Sequence, residues 1–395
     1  MRTYTVLRDL AAAPTGEPFS RTTAAPEAPG LGTAGLRIDV ERLEKSDVRS
    51  LIRDPEVRAI APVMPTQLIR PVDVPGDEPS DQSSATWGIA AVGADRSLRN
   101  GDGVIVSVLD TGIDGTHPAF TGVQLVQKDF SGSGDGDKDG HGTHCAGTIL
   151  GRDVDGVRIG VAPGIPTVLI GKVLGDDGRG DSDMIFRGIQ WALDGGAHVI
   201  SMSLGFDFPG LVVLLQGEGW PADLATSAAL EGYRANLRMF DALMGIARSR
   251  QAFGPGTLVV AAAGNESKRD QHPDHEIAVS IPAAAEGVVS VGALGESANG
   301  LRVAPFSNTY PQISGPGVRV LSAKAGGGLI ALSGTSMATP HVAGVAALWW
   351  EEVATSPVPL SVHSVLAKLL ATASTKVLAP GVDVADRGVG LVQAP

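Results

Sequence analysis

A single cysteine, Cys145, stands among the 395 residues of the chain. An intrachain disulfide is excluded, and cysteine usage lends no support to an oxidising compartment. Aromatic residues make up only 4% although 43% of the chain is hydrophobic, so the interior must be built mainly from Val, Ala, Leu and Ile. Basic residues are outnumbered, 31 against 43 acidic, and the net charge of -12 argues against nucleic acid as a partner. No apolar run approaches the roughly 18 residues that span a bilayer, which argues against a membrane partner. The opening MRTYTVLRDL has no apolar core followed by a cleavage site, so the expected location is cytoplasmic. What is plentiful is glycine, 52 residues, with 26 prolines, the mark of a fold with many tight connections. The length suits two domains or one large one.

Residues 1–85 differ in texture from the rest. Tyr4–Leu7 reads as a short strand, and the stretch from Ala11 to Gly35, rich in Ala, Pro, Thr and Gly, as a loose linker. Leu36–Val40 alternates as a strand does, Lys45–Arg53 is helical with Ser46 as its cap, and Val57–Val63 returns to strand: a small α+β unit. Arg70 to Ala85, with three prolines and several Asp, Glu and Ser, is an exposed tether. From Trp87 apolar strands alternate with helices, which predicts an α/β fold with a parallel sheet covered on both faces. The predicted strands are 104–109, 168–173, 199–204, 257–263, 288–293 and 318–322; the predicted helices are 141–150, 181–193, 336–350 and 361–371.

Three stretches carry chemistry. Val104–Leu109 runs into Asp110-Thr111-Gly112, placing a carboxylate at the C-terminal edge of a buried sheet, where such folds bind ligands. His141-Gly142-Thr143-His144-Cys145 opens a helix with histidine in its first turn, and His141, His144 and Cys145 also have the spacing of zinc ligands, though without a further ligand. Gly334-Thr335-Ser336-Met337-Ala338-Thr339-Pro340 opens an apolar helix, where unpaired N–H groups and the helix dipole favour negative charge. Each stretch alone has a bland alternative: a capped turn, a structural histidine, a serine N-cap. Asp135-Gly136-Asp137-Lys138-Asp139 copies the opening of a calcium loop, but Ala146 stands where a bidentate Glu is required, so it reads as a solvated acidic turn.

Taken together and in this order, Asp110-Thr-Gly, His141-Gly-Thr-His and Gly334-Thr-Ser-Met-Ala-Thr-Pro resemble the three active-site signatures of the subtilisin-like serine proteases, over about residues 87–392. The resemblance implies a subtilisin-like parallel sheet, Ser336 as nucleophile, His141 as general base and acid, and Asp110 orienting His141. Ala262-Ala263-Gly264-Asn265 resembles the oxyanion-hole segment, with Asn265 as one donor and the Ser336 N–H as the other. Ser203-Leu204-Gly205 and Gly178-Arg179-Gly180 resemble the strands that flank an extended peptide substrate. Ala261–Gly264 would wall a roomy, uncharged pocket with its floor near Ser280–Ala283, which implies an apolar residue before the scissile bond; Asp274 and Glu276 are the nearest acids. Cys145, one helical turn after His141, is expected to be a buried, inert thiol.

Residues 1–69 resemble the family's inhibitory, fold-assisting propeptide, 36–69 most closely, so that the chain's own N-terminal region is its expected partner besides a peptide or protein substrate. Gln67-Leu68-Ile69 would enter the cleft, residues 70–85 would be the linker, and 86–395 the peptidase domain. No cofactor is required; structural calcium is compatible with the family, but no clear site is legible. The departure is an insertion at about 206–256: an apolar loop, Phe206–Leu215, then a helix with the stripe Leu230, Tyr233, Leu237, Phe240, Met244 and Ala247. Two roles suit it, an extra helix packed on the body or a wall that narrows the cleft. The expected function is a serine endopeptidase made as a self-inhibited precursor. The rivals are a maturation protease for one peptide or precursor, and an inactive binding protein on the same scaffold.

Overall fold

A computed structural model describes residues 2–10, 35–73, 86–249 and 254–395. Most of the expected linker at 11–35, the tether from 74 to 85 and the last part of the insertion, 250–253, lie outside the described residues.

The chain begins with β1 (Arg2–Asp9), longer than the four residues expected, then β2 (Leu36–Leu43), α1 (Lys45–Leu51) and β3 (Val57–Pro62). The three strands form an antiparallel sheet in the order β2-β1-β3. The cap of α1 is Glu44 rather than Ser46: the Glu44 N–H donates to Asp47 at 2.9 Å, and the helix starts at Lys45 as expected. A short strand, β4 (Pro65–Leu68), leaves this unit and crosses to the body.

Helix α2 (Trp87–Ala91) leads into β5 (Ile105–Asp110), β6 (Gln124–Asp129), α3 (His141–Leu150) and β7 (Thr167–Lys172). β8 (Arg179–Asp181), α4 (Ser182–Asp194), β9 (Val199–Met202) and β10 (Leu204–Phe206) follow. Beyond the insertion come β11 (Leu258–Ala262), β12 (Val288–Gly295), β13 (Arg302–Val303) and β14 (Ile313–Pro316). The central sheet runs β13-β12-β11-β9-β5-β7-β6, with β14 also on β12, and every pairing is parallel except β12 with β13. The expected doubly covered parallel sheet is therefore present. One strand was misplaced: β15 (Val320–Ala323) forms an antiparallel hairpin with β16 (Leu329–Leu332) outside the sheet, since Gly326–Gly328 turn the chain straight back.

Both faces of the sheet are covered because side chains alternate along each strand. Val106 and Val108 of β5 pack into one core with α3, α7 (Thr335–Ala354) and α8 (Val362–Ala371). Leu109 packs into the other core with α4 and the insertion. Each such side chain, fully buried, contributes roughly 1.5–3 kcal/mol. Helix α7 is buried from Thr335 to Trp350 without a break, so it runs through the core rather than over it.

The insertion is two helices, α5 (Phe208–Gly217) and α6 (Ala222–Ser249). The expected apolar loop at Phe206–Leu215 is mostly α5, because the Asp207 side chain caps it by accepting from Gly210 N–H at 2.8 Å. Of the expected stripe on α6, Phe240 and Met244 are buried and Tyr233 and Leu237 are half-buried against the same core, while Leu230 is exposed; Ala225, Ala229, Gly232 and Asn236 add to the packed face. Small residues let α6 sit close to its neighbours, and a stripe of large apolar residues does not register that.

Two glycines fix how β5 meets α3. Gly112, at φ +110°, follows β5, and a Cβ on Gly142 of α3 would collide with the Gly112 carbonyl oxygen. Backbone on both sides leaves no flexible group to yield. Gly142→Ala is expected to lower stability by about 1–3 kcal/mol in denaturant melts, since overpacking outweighs the helix-propensity gain of up to about 1 kcal/mol. A variant as stable as the parent would show that the two backbones can part.

Candidate active site

The C-terminal edge of the parallel sheet carries the site. Asp110 ends β5 with its carboxylate buried; its Oδ1 accepts from Thr111 N–H at 2.8 Å and meets His141 Nδ1 at 2.8 Å. Side-chain exposure is 1% for each partner, so the contact is screened by protein rather than water. Burial alone would push the His141 imidazole down, but the Asp110 carboxylate outweighs it and holds the ring well above the ordinary histidine value of 6.5. The remaining ring atom, Nε2, is buried with no partner among the described residues.

The turn before α3 is anchored by a residue that sequence patterning left in solvent. Asp137 accepts from Thr111 Oγ1, Gly140 N–H, Thr143 N–H and Thr143 Oγ1, at 2.6–2.8 Å. The predicted solvated acidic turn is thus partly a structural clamp, caught between β5 and the start of α3. Lys138 and Lys172 both pair with Asp176, at 2.6 Å each.

The zinc arrangement of His141, His144 and Cys145 is not assembled. His144 turns away, its Nε2 lying 3.0 Å from the Val320 carbonyl and 3.2 Å from that of Ile330, and burial lowers its pKa to about 3. Asp110, His141 and Cys145 do come together. Burial raises the Cys145 thiol, however, and a protonated thiol is a poor metal ligand. Its Sγ lies 3.7 Å from His141 Nδ1 and 3.5 Å from the Ser336 carbonyl oxygen, a buried packing role beneath the imidazole.

Ser336 sits in the first turn of α7, fully buried in this state. Its hydroxyl donates to the Ile69 carbonyl at 2.9 Å, and its own carbonyl accepts from Ser203 Oγ at 3.1 Å. Asn265 follows β11 and is fixed by a neighbour that motif reading passed over. Its Oδ1 accepts from Thr335 N–H at 2.9 Å and Thr335 Oγ1 at 2.8 Å, which aims Nδ2 at the Arg70 carbonyl, 3.0 Å away. Asn308 anchors the same loop: its Oδ1 accepts from the N–H groups of Glu266 and Ser267, and its Nδ2 donates to Ala263 O at 3.1 Å. Nothing in the Ser307-Asn308-Thr309 sequence distinguishes it from an ordinary loop.

The two flanking segments receive the chain's own residues. β4 lies between β10 and β8, antiparallel to both, pairing Leu204 with Leu68, Gly205 with Gln67, and Gly180 with Thr66. Leu68 N–H donates to Gly178 O at 2.8 Å, while the Arg179 side chain is exposed. Beyond Ile69, Val72 N–H reaches Ser333 O at 2.8 Å. A Cβ on Gly205 would lie 3.5 Å from Ile69 Cγ1 and 3.7 Å from Ser280 Oγ, so the Ile69 side chain and the Ser280 segment both border Gly205. Ser280 N–H is tied to Ala263 O at 3.1 Å, and Ala262 and Ala263 are fully buried. Glu276 pairs with Arg269 instead, and Asp274 lies beside His272.

The family model "Subtilase family" matches residues 101–391. The chain is 33% identical to the thermostable alkaline protease of Halalkalibacterium halodurans over 78% of this chain and 70% of that protein. It is 37% identical to subtilisin BL of Lederbergia lenta, over 67% of this chain and 84% of that protein. An intracellular serine protease of Paenibacillus polymyxa is 32% identical, over 72% and 77%. The chain therefore belongs to the subtilase family: it is a hydrolase of the subtilisin-like serine endopeptidase class. Enzymes of this class act on peptides and proteins and need no organic cofactor. Among the described residues no helix is long and apolar enough to cross a membrane.

The opposed influences on His141 give a direct test. In wild-type protein its imidazole should titrate above 6.5 by NMR, protonated below that pKa and neutral above it. In Asp110→Asn the raising charge is gone and burial remains, so the pKa should fall below 6.5. A value that does not move would mean that the carboxylate is not what holds the proton.

Proposed function

We propose that the chain hydrolyses peptide bonds through Asp110, His141 and Ser336, with Asn265 in the oxyanion hole, and that its N-terminal region is a cis-acting inhibitor. The observation that carries this reading is the course of residues 65–72, which run through the cleft as a substrate would, with the Ile69 carbonyl on the Ser336 hydroxyl.

In the proposed mechanism Ser336 Oγ attacks the scissile carbonyl carbon and its proton passes to His141 Nε2, the ring atom left without a partner. Asp110 stays ionised and stabilises the imidazolium through Nδ1–H. The oxyanion is met by Asn265 Nδ2 and by the Ser336 N–H, in the first turn of α7 where helix N–H groups lack intrahelical partners. Collapse expels the amine with the proton from His141 and leaves an acyl-enzyme, which water hydrolyses by the same steps.

The intact tether escapes this fate for a geometric reason. The Ser336 hydroxyl engages Ile69 O whereas Asn265 engages Arg70 O, so the two groups that must converge on one carbonyl are divided between neighbours. Pro71 follows directly. The roles of Gly178, Arg179, Gly180, Ser203, Leu204 and Gly205 as substrate-pairing residues, and of Ala262, Ala263 and Gly264 as pocket wall, rest on the same strand. Support for an apolar preference before the scissile bond comes from Ile69, which lies against Gly205 while Asp274 and Glu276 are engaged elsewhere. Structural calcium has little to recommend it at the Asp135–Asp139 turn, where both Asp137 oxygens are already occupied by protein donors.

Asn265→Ala should bind peptides almost normally and turn them over about 10²–10³-fold more slowly, the usual cost of one oxyanion donor. Ser336→Ala should be inert toward peptides and a fluorophosphonate label and remain full length by intact mass, whereas active enzyme loses roughly its first 70–85 residues, a range set by the exposed composition of the tether. A Ser336→Ala protein that cleaves peptides like wild type would sink the mechanism. Wild-type protein that takes no label even after removal of its N-terminal region would favour a binding protein on this scaffold.

A further inference from the structure

The hydrogen bonding that seats β4 does not stop at its first residue. Pro65 O accepts from Asp207 N–H at 3.0 Å, at the start of α5. Met64 is held on both sides by one serine: Ser182 N–H donates to Met64 O at 2.9 Å, and Met64 N–H donates to Ser182 Oγ at 3.1 Å. Two residues further back, Asn236 of α6 donates through Nδ2 to Pro62 O at 2.9 Å. These are main-chain contacts, which any extended peptide can make. Met64 itself is fully buried, and a Cβ on Gly232 of α6 would lie 3.6–3.9 Å from Pro62, Leu211 and the Met64 sulfur. A Cβ there would make only ordinary contact, so it is a larger side chain at Gly232, such as Leu, that would compete with the methionine for space.

Asn236 is fully buried, and its Oδ1 has no partner among the described residues. Residue 62 is a proline and has no N–H to give. A residue in extended conformation presents its N–H and C=O on the same edge. A side-chain amide can meet both, donating to one and accepting from the other. Pro62 uses half of this capacity.

We infer that the groove formed by α5, α6 and the start of α4 extends the substrate cleft to the fifth through eighth residues before the scissile bond. Its sixth position takes a long unbranched apolar side chain, and Asn236 clamps the main chain at the eighth. Positions are counted back from Ile69, so the inference rests on the reading that this strand lies as a substrate does. The insertion thus selects substrates by length and by residues remote from the bond that is cut. A substrate whose eighth residue is not proline makes a contact that the enzyme's own segment lacks.

The test uses the enzyme after loss of its N-terminal region and a ladder of peptides identical from the fourth residue before the scissile bond onward. Extending the peptide from four to eight upstream residues, with Met at the sixth, should raise kcat/KM by about tenfold or more. Replacing that Met by Asp should remove the gain. Changing the eighth residue from Pro to Ala should add roughly three- to tenfold, the worth of one completed buried hydrogen bond. Asn236→Leu should erase the Pro/Ala difference, and Gly232→Leu should erase the preference for Met. Each ratio is read within one variant, so a smaller folded fraction cancels. Equal kcat/KM for four- and eight-residue peptides in wild type would overturn the inference while leaving the protease reading intact. Failure to cut any of them would strike at that reading instead.

Discussion

The buried contact between Asp110 and His141 is the constraint from which the rest of the site follows. A carboxylate out of water is costly unless its charge is matched. Here the compensation comes from an imidazole on another element and from a backbone N–H of the next residue. The match requires β5 and α3 to approach at backbone contact, which the Gly112–Gly142 crossing allows and the Asp137 clamp holds. Once α3 is placed, Cys145 fills the space between the imidazole and the Ser336 backbone, and α3 and α7 share one apolar core. The polar geometry is therefore set by apolar packing and small residues.

Much of this was legible in the chain because buried parallel strands and core helices write continuous apolar runs. Ile105–Asp110, Leu258–Ala262 and Thr335–Trp350 are such runs, and the chemistry sits at their ends. What escaped reading lacks that signal. β6, Gln-Leu-Val-Gln-Lys-Asp, is a polar edge strand, and β14, Ile-Ser-Gly-Pro, looks like a turn. Thr335 and Asn308, which hold Asn265 and its loop, are single polar residues whose partners lie 70 and 45 positions away. Position in sequence carries no trace of such pairings. The packed face of α6 extends past the large-residue stripe over Ala225, Ala229 and Gly232 for the converse reason, since alanine and glycine mark close approach as surely as leucine marks burial.

The insertion and the N-terminal region belong to one account. α6 packs on β3, Asn236 and Gly232 face the segment between the two units, and Gln190 of α4 donates to Leu36 O at 2.9 Å. The surface that receives the N-terminal unit is thus continuous with the strands that receive β4. The insertion is packed on the body, and it also borders the path of the chain's own residues 62–65.

That the occupying strand is part of the same chain has a consequence for how the cleft opens. While the tether is whole, residues 62–69 are held at a local concentration fixed by geometry, and diluting the protein does nothing to dislodge them. If the tether is cut, as proposed above, that intramolecular equilibrium becomes a bimolecular one. From then on, occupancy depends on how many copies of the released segment share the volume. On the proposed reading a crowded population would stay closed and a dispersed one would open.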